Sequence, residues 1–270
     1  MADAEERITS LDVSLYDAVS SQTYPEDRRS LLLLQRCVRR FGSYTYLEIG
    51  SHLGGTIQPH LVDSHCELIY SIDKRPLALP DEYSGVVYYP GNSTQRMLDG
   101  LREAFPESPV EKICTFDSEA RSIDPKQFSK APDFCFIDAE HTDKAVVVDF
   151  RFCLRIGKPD GVIAFHDANA MPGGLGRIRR QLRKSGIRFR HFVLPRHVYV
   201  ILLNGAVEKF AKEIQEASVD ESPYMRQARR ELLKSKVSRR FPWVRKAWRT
   251  ISGKDRLRMG AAKGSPPEQG

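Results

Sequence analysis

The chain has 270 residues, of which 41% are hydrophobic and 29% charged, a size and composition typical of one large α/β domain or two small ones. No apolar run reaches the roughly 18 residues of a membrane-spanning helix, and the acidic start MADAEERITS does not resemble a secretory signal, so we expect a cytoplasmic protein. The five cysteines lack CxxC spacing, which predicts reduced core residues.

The formal net charge of +7 is concentrated near the C-terminus. Residues 221–270 contain 14 Lys/Arg and 4 Asp/Glu, which leaves 28 Lys/Arg and 31 Asp/Glu before them. The body is therefore slightly acidic, and a boundary near Ser222-Pro223 separates it from a basic tail. We expect an N-terminal helical segment (1–43), an α/β domain (44–205) and a helical basic tail (206–270) that is disordered at its end.

In chain order, the apolar spacing predicts an amphipathic helix over residues 27–41 and then seven strands. The predicted strands are TYLEIG, ELIYSID, KICTF, DFCFID, GVIAFHD, IRFRHFVL and HVYVILL. Helix-like segments separate the first five, which indicates βαβ units and a parallel sheet covered on both faces. Only Pro195 and Arg196 join the last two strands, so these form an antiparallel hairpin. The predicted fold is α/β, a doubly wound, mostly parallel, seven-stranded sheet.

Glycines and ionisable groups follow the first five predicted strands. They are Glu48 to Gly55 with its three glycines, Asp73, Asp117 with Ser118, Asp138 to His141, and His166 with Asp167. Because ligands of open parallel sheets bind beyond the carboxyl ends of the strands, these residues are candidates for one site. A glycine turn lets backbone N–H groups approach a ligand, and a strand-end acid can accept hydrogen bonds from ribose hydroxyls.

The pattern E-x-G-x-x-x-G at Glu48, Gly50 and Gly54, with the acidic end of the second strand, resembles the class I S-adenosylmethionine-dependent methyltransferases. The resemblance covers roughly residues 44–204. It implies S-adenosylmethionine as the cofactor, and it also implies a Rossmann-like sheet that ends in an antiparallel hairpin. Each motif is weak alone, but their order and spacing together are fairly specific.

Carried over by motif position, the family's cofactor contacts fall on the ends of the first three strands. The glycine loop with Gly50 would lie beside the methionine part of the cofactor, Asp73 would hold the ribose, and Asp117 with Ser118 would flank adenine. The cofactor-binding residues that the resemblance implies are Glu48, Gly50, Ser51, Gly54, Asp73, Asp117 and Ser118.

The segments FIDAEHT and GVIAFHDAN also resemble the metal-dependent sugar O-methyltransferases of the macrocin O-methyltransferase and cephalosporin-hydroxylase-like branch. The resemblance implies that Asp138, His166 and Asp167 hold a divalent metal, expected to be Mg²⁺, and that His141 is the catalytic base. A cation would lower the pKa of an acceptor hydroxyl, and His141 could then take its proton.

The sequence departs from that branch at His166, where an acid would be expected. Because hard cations prefer oxygen ligands, the imidazole either suits another divalent metal or leaves its place to a water. Asn169 or Glu140 could supply an oxygen instead.

Plainer interpretations exist for the same residues. Asp138 and Asp167 could cap the helices that follow their strands, and His141 could be a solvated residue of a first helical turn. The clustering of titratable groups favours a site over these alternatives.

A second glycine-rich segment contains Gly173, Gly174 and Gly176 and precedes the basic run RIRRQLRK. We expect a plain loop there, with an anion nest or a mobile lid as the alternatives. Arg177 would then be a candidate substrate contact.

The basic tail contains apolar residues at steps of four and three. They are Val237, Phe241, Val244, Trp248 and Ile251, with Pro242 dividing the stretch. This pattern is consistent with peripheral membrane contact through residues 223–258 at the inner face of an anionic membrane, or with packing on the domain or a second subunit of a homo-oligomer. Nucleic acid is the least favoured partner.

The sequence therefore predicts an enzyme that transfers a methyl group from S-adenosylmethionine to a hydroxyl of a small molecule or a glycan precursor. The alternative is a non-catalytic or RNA-directed methyltransferase-like protein that acts through its basic tail. The fourth strand ends in Asp-Ala-Glu-His rather than in the Asn-Pro-Pro-aromatic stretch of base N-methyltransferases, which disfavours RNA methylation.

Overall fold

A computed structural model describes residues 2–241 of the chain. Its α-helices are α1 (Ala2–Thr9), α2 (Pro25–Arg39), α3 (Gln58–Val62), α4 (Thr94–Ala104), α5 (Ala145–Ile156), α6 (Pro172–Ser185), α7 (Gly205–Ala217) and α8 (Glu221–Arg240). Its strands are β1 (Tyr44–Ile49), β2 (Cys66–Ile72), β3 (Ala78–Asp81), β4 (Gly85–Tyr88), β5 (Ile113–Phe116), β6 (Phe134–Ile137), β7 (Val162–Phe165), β8 (Phe189–Val193) and β9 (Tyr199–Leu203).

Seven strands form one sheet in the order β5-β2-β1-β6-β7-β9-β8. The first five are parallel, and β9 runs antiparallel between β7 and β8. The predicted fold is therefore confirmed. The link between the last two strands is residues 194–198 rather than the two residues predicted, because β8 ends earlier and β9 begins later than their apolar runs suggest.

Helices cover both faces of this sheet. Side chains of α1, α2, α4 and α7 pack into one core, and side chains of α5, α6 and α8 pack into the other. Strands β1, β6, β7 and β9 are consequently buried along their whole length. This double burial explains why their sequences are nearly continuous apolar runs, interrupted only by Thr45 and Glu48 of β1.

The parallel strands end in register at one edge of the sheet. Ile49 of β1 lies opposite Ile72 of β2 and Ile137 of β6, and the outer pairs are Ile72 with Phe116 and Ile137 with Phe165. The residues directly after these ends are, across the sheet, Asp117, Asp73, Gly50, Asp138 and His166. Since the connections diverge between β1 and β6, this edge is the topological switch point where such sheets bind ligands.

The strands β3 and β4 form a separate antiparallel hairpin that the sequence analysis missed. The segment ALPDEYSGVVY is short and contains Pro80, so it reads as a turn rather than as strands. The hairpin is attached to the loop after β6, because Asp81 forms an isolated bridge with His141 and the Glu82 N–H donates to the His141 carbonyl oxygen at 3.1 Å.

Helix α8, the start of the basic tail, holds this hairpin from the other side. The Ser235 hydroxyl donates to the Tyr83 carbonyl oxygen at 2.6 Å, the Arg239 guanidinium donates to the Glu82 carbonyl oxygen at 2.6 Å, and Lys236 forms an ion pair with the Glu82 carboxylate. This part of the tail therefore packs on the domain.

The composition boundary at Ser222-Pro223 lies in the first turn of α8. The division of the chain into three parts stays a prediction. The remaining tail positions, from Pro242 through Val244, Trp248 and Ile251 to the predicted disordered end, lie outside the described residues.

The loop predicted at the second glycine-rich segment is wrong, since these residues begin α6. The Gly174 N–H donates to Asp143 Oδ1 at 2.6 Å, and Arg177 donates to the Asp143 carbonyl oxygen. Gly173 and Gly176 lie in the same first turns. An acid from the preceding loop thus satisfies the start of the helix, and the glycines allow its close approach.

All five cysteines are free thiols, four of them buried, as the sequence predicted. None of the helices within residues 2–241 combines the length and the apolar character that crossing a bilayer demands.

Candidate functional site

A cavity of about 450 Å³ lies at the carboxyl edge of β1 and β6, a size typical of small-molecule sites. Residues 20–24, which precede α2, form part of its wall. The cavity is lined by most of the residues that the sequence singled out, namely Gly50, Ser51, Asp73, Ser118, Asp138, His141, His166 and Asp167. Three others, Glu48, Gly54 and Asp117, are not among the residues lining it.

Gly50 brings the two halves of the cavity together. Its φ is +94°, and a Cβ atom there would lie 2.0 Å from the carbonyl oxygen of Asp138. No side chain fits into that space, so only glycine lets the end of β1 approach the end of β6 this closely. The neighbouring Ser51 hydroxyl is fixed by a 2.6 Å hydrogen bond with the Ser71 hydroxyl.

Asp73 lies beside the glycine loop and is 8% exposed. Its carboxylate accepts the His52 N–H at 2.9 Å and the Arg75 N–H at 2.8 Å. The Arg75 guanidinium lies 3.5 Å from the same carboxylate. These contacts fix the carboxylate and still leave lone pairs on both oxygens for a ligand.

Glu48 lies beneath the loop rather than in the cavity, and its side chain is fully buried. The Tyr46 hydroxyl donates to Oε2 at 2.9 Å, and the Thr56 hydroxyl bonds Oε1. Burial raises the pKa of the carboxyl to about 8, although the two hydrogen bonds lower it. At neutral pH Glu48 is therefore protonated, and it supports the glycine loop from inside the fold.

Gly54 and Asp117 flank the cavity from outside. Gly54 has a φ of +80° and packs against the Leu101 side chain of α4. The Asp117 side chain is 56% exposed, accepts a hydrogen bond from the Thr94 hydroxyl and lies 3.5 Å from the Arg75 guanidinium. Asp117 thus reaches the predicted cofactor site only through Arg75, whereas its neighbour Ser118 lines the cavity.

Two carboxylates and two imidazoles meet on the opposite side of the glycine loop. Nδ1 of His166 lies 3.2 Å from both Asp138 Oδ1 and Asp167 Oδ2. Nε2 of His141 lies 3.2 Å from Asp167 Oδ2 and 3.6 Å from Asp138 Oδ1. The structure therefore brings the predicted metal ligands and the predicted base into direct contact.

Neither aspartate caps a helix, which removes the plainer interpretation. The N-cap residues of α5 and α6 are Lys144 and Met171, and the side-chain oxygens that accept N–H groups in their first turns belong to Thr142 and Asp143. Asp167 adopts a φ of +47°, a region uncommon for residues other than glycine. Such backbone strain clusters at functional sites, where it aims side chains at a ligand.

Each imidazole is held from behind by a further carboxylate. Nδ1–H of His141 donates to Asp81 Oδ2 at 3.2 Å, and Nε2–H of His166 donates to Asp27 Oδ2 at 3.3 Å. Because a carboxylate only accepts hydrogen bonds, these contacts keep a proton on Nδ1 of His141 and on Nε2 of His166, whether the ring is charged or neutral. The nitrogen that faces Asp138 and Asp167 is Nε2 in His141 and Nδ1 in His166.

The sequence analysis missed Asp27, Asp81 and His197. Asp27 is completely buried in the first turn of α2, where it accepts the backbone N–H groups of His197 at 2.8 Å and Tyr24 at 3.2 Å. An acid in a first helical turn ordinarily caps the helix, so nothing in the sequence distinguished Asp27. Asp81 stands in a Pro-Asp turn, and His197 lies 3.4 Å from Asp167 without a motif around it.

The four groups shift one another's pKa. Burial alone would lower the pKa of His141, but its contacts with Asp138 and Asp81 and the charge of Asp167 raise it to about 10. Burial opposes ionisation of Asp138 and Asp167, yet the adjacent imidazolium groups hold the pKa of both below the usual range. The pKa of His166 is likewise raised, against its burial, by Asp138. Protons on the imidazoles thus offset the carboxylate charges.

The same cluster fits a cation. Asp138, His166 and Asp167 each offer one ligand atom, and these atoms lie within 4.8 Å of one another. Glu140, an alternative oxygen ligand, lines the cavity but hydrogen-bonds to the Thr142 hydroxyl at 2.9 Å. The side-chain oxygen of Asn169, the other alternative, is buried without a hydrogen-bond partner.

The cavity is also lined by the apolar residues Ile72, Ala120 and Val148, together with Asp149 of α5. Burial, followed by the charge of Glu140, raises the pKa of Asp149 to about 7. The sequence analysis missed Asp149, because an acid on a helix normally reads as a solvated residue.

Residues 47–168 match a family model described as a methyltransferase domain. The O-methyltransferase NovP is 12% identical, the match covers 74% of this chain and 98% of that one, and the TM-score is 0.53. The calicheamicin methyltransferase CalS11 is 14% identical, with 76% and 92% covered and a TM-score of 0.49. The O-methyltransferase from Bacillus cereus is 14% identical, with 74% and 90% covered and a TM-score of 0.43. No curated protein sequence matches the chain.

We expect Glu48→Gln to remove a pH-dependent loss of stability. Free Glu ionises near pH 4.5, but folded Glu48 holds its proton up to about pH 8. Between these values the folded chain binds the extra proton, so the free energy of unfolding falls by about 1.4 kcal/mol per pH unit. A glutamine keeps the hydrogen bonds and does not titrate. The free energy of unfolding of both proteins is measured with urea at several pH values between these limits. The stability of the variant relative to the wild type should increase as pH rises. Parallel curves would show that folded Glu48 is ionised.

Proposed function

We propose that this chain, whose residues 47–168 are a methyltransferase domain of the class I fold, transfers a methyl group from S-adenosylmethionine to a hydroxyl group. One observation carries this proposal. A single cavity is lined by the glycine loop and Asp73 on one side and by Asp138, His141 and Asp167 on the other. The first set suits a nucleoside with a charged amino-acid arm, and the second suits proton removal from an acceptor.

The cofactor would extend along the row of strand ends. The carboxylate of Asp73 would accept the ribose hydroxyls, and the backbone at Gly50 would lie against the methionine arm. Ala120 and Val148 would pack on the adenine ring, with Asp149 at its edge. S-adenosylmethionine supplies an electrophilic methyl group on a positively charged sulfur.

A divalent cation held by Asp138, His166 and Asp167 would lower the pKa of an acceptor hydroxyl and offset the charge of both carboxylates. The side chains then orient the acceptor oxygen in line with the methyl group. Formation of the oxygen–carbon bond would break the carbon–sulfur bond, and the sulfur would leave as a neutral thioether. The hydroxyl proton passes to Nε2 of His141.

The pKa of His141 explains why the base needs that cation. With a pKa of about 10 the imidazole keeps its proton at neutral pH and accepts no other. The raised value comes from the contacts with Asp138 and Asp81 and from the charge of Asp167. When positive charge neutralises Asp138 and Asp167, the imidazole can release its proton, while Asp81 still holds Nδ1–H and keeps Nε2 aimed at the acceptor.

We propose a sugar hydroxyl as the acceptor, on a small molecule, a polysaccharide or a lipid-linked glycan precursor. The support is the resemblance of FIDAEHT and GVIAFHDAN to sugar O-methyltransferases. The same fold serves many other acceptors, so the acceptor class follows from these motifs and not from the sheet.

We also propose peripheral contact with an anionic membrane through residues 223–258. The exposed side of α8 carries Arg226, Arg230 and Arg240 together with Leu233, which is 64% exposed. Such a basic face with apolar residues suits the headgroup region of an anionic bilayer. Membrane contact would bring a lipid-linked acceptor to the cavity.

The proposed reaction predicts that binding and turnover separate in site variants. Calorimetry should give saturable S-adenosylmethionine binding to the wild type, and Asp73→Asn should weaken it about tenfold by removing charge-assisted hydrogen bonds. Asp138→Asn and His141→Ala should bind the cofactor normally and lose turnover with a sugar acceptor. Normal turnover in both variants would refute the mechanism, and no cofactor binding by the wild type would refute the function.

The membrane proposal predicts salt-sensitive binding to vesicles that contain phosphatidylglycerol and none to neutral phosphatidylcholine vesicles, since the attraction is electrostatic. Removal of residues 242–270 together with Arg226→Glu and Arg230→Glu on the exposed face of α8 should abolish most of this binding in a flotation assay. Undiminished flotation of the truncated chain would contradict a role for the tail.

A further inference from the structure

His166 stands where an oxygen ligand for a hard cation would be expected, and its surroundings leave it little freedom. The residue is 5% exposed. Its Nδ1 atom is equidistant, at 3.2 Å, from Asp138 Oδ1 and Asp167 Oδ2. A cation held by both carboxylates would therefore have this nitrogen within its coordination sphere.

Asp27 determines which nitrogen of His166 faces the carboxylates. It accepts Nε2–H at 3.3 Å, is completely buried, and is itself held by the backbone N–H groups of His197 and Tyr24. Nδ1 can then turn a lone pair toward Asp138 and Asp167. A carboxylate behind a histidine in this way orients the ring and increases its basicity as a metal ligand.

Two oxygens and one fixed imidazole nitrogen are a poor donor set for Mg²⁺. That ion demands near-octahedral coordination and keeps much of its water, whereas imidazole suits later first-row ions such as Zn²⁺ and is a better ligand for Mn²⁺ than for Mg²⁺. For Mg²⁺ to bind with oxygen ligands alone, the His166 ring would have to leave a buried position and break its hydrogen bond with Asp27.

We infer that this site selects a divalent transition metal such as Mn²⁺, Co²⁺ or Zn²⁺ over Mg²⁺ through the His166 imidazole, with Asp27 as the residue that positions it. The inference rests on the proposed function, because that reaction is what calls for a cation. It changes the metal expected from the sequence, and it gives a role to a buried aspartate of α2 that is distant in sequence from every motif.

The direct test is pulsed electron paramagnetic resonance of the full chain loaded with Mn²⁺. A histidine ligand produces a ¹⁴N modulation of the electron spin echo. We expect the modulation in the wild type and in His141→Ala, and its loss in His166→Asp. A wild-type spectrum without nitrogen modulation would overturn the inference.

Calorimetric titrations with Mg²⁺ and Mn²⁺ provide a second readout. His166→Asp should lower the preference for Mn²⁺ over Mg²⁺ about tenfold or more, while the matched variant His166→Asn loses Mn²⁺ affinity without gaining Mg²⁺ affinity. Asp27→Asn, whose single amide oxygen can accept the His197 N–H but which then turns an amide N–H toward Nε2 of His166, should weaken Mn²⁺ binding about tenfold. Equal affinity of the wild type for Mg²⁺ and Mn²⁺ would contradict the inference.

Titration of S-adenosylmethionine into the same preparations tests the proposed methyl transfer separately from the inferred metal selection. Cofactor binding together with a preference for Mg²⁺ would overturn the metal selection and leave methyl transfer intact. Absence of cofactor binding would overturn the proposed function itself. If His166→Asp does not fold, as judged by circular dichroism, the inference is still tested by the paramagnetic resonance spectrum of the wild type and by the Mn²⁺ affinity of Asp27→Asn.

Discussion

The close approach of two strand ends is the constraint on which the cavity depends. Gly50 turns away from β1 against the carbonyl oxygen of Asp138, at a distance that leaves no room for a Cβ atom. Because β1 and β6 are neighbours and end in register, this contact sets the groups that follow β2 and those that follow β6 on either side of one cleft. The proposed nucleoside half and the proposed acid-base half of the cavity are joined at that point.

Charge is the second constraint. Asp138 and Asp167 point at the same small volume, where two unpaired carboxylates would repel each other strongly. Protonated His141 and His166 offset that repulsion, and Asp81 and Asp27 hold the two rings in place. A cation at this position would neutralise the two carboxylates in place of the imidazole protons. Under the proposed mechanism, His141 could then lose its proton and act as a base. The carboxylates behind the rings therefore matter as much as the residues that face the cavity.

The sequence predicted the central sheet because the burial of its strands on both faces leaves continuous apolar runs. Most of the site residues that it predicted line the cavity, since the carboxyl ends of parallel strands share one edge. It did not predict the hairpin that carries Asp81, because four-residue strands around a proline carry no periodic signal. Asp27 was missed for a different reason. Its helix is distant in the chain, and only tertiary packing brings its carboxylate to His166.

The glycine pattern gave a correct prediction at Gly50 and a wrong one at Gly173 and Gly174, because the two sites differ in backbone conformation and in contacts. Gly50 needs a positive φ and a close contact, which a glycine after a strand signals reliably. Gly173 and Gly174 adopt helical backbone, and a Cβ atom there would clash with Asp143 and Val146, which pack against the start of α6. A contact with a residue thirty positions away leaves no local pattern, so the segment resembled a loop.

The most direct measurement is a crystal structure of the full chain grown with S-adenosylhomocysteine and Mn²⁺, with anomalous scattering used to locate sulfur and manganese. We expect the cofactor sulfur to lie beside the loop that begins at Gly50 and the ribose to contact Asp73. We expect manganese to be bound by Asp138, Asp167 and Nδ1 of His166. A nucleoside bound elsewhere, or an empty carboxylate cluster at saturating Mn²⁺, would contradict it.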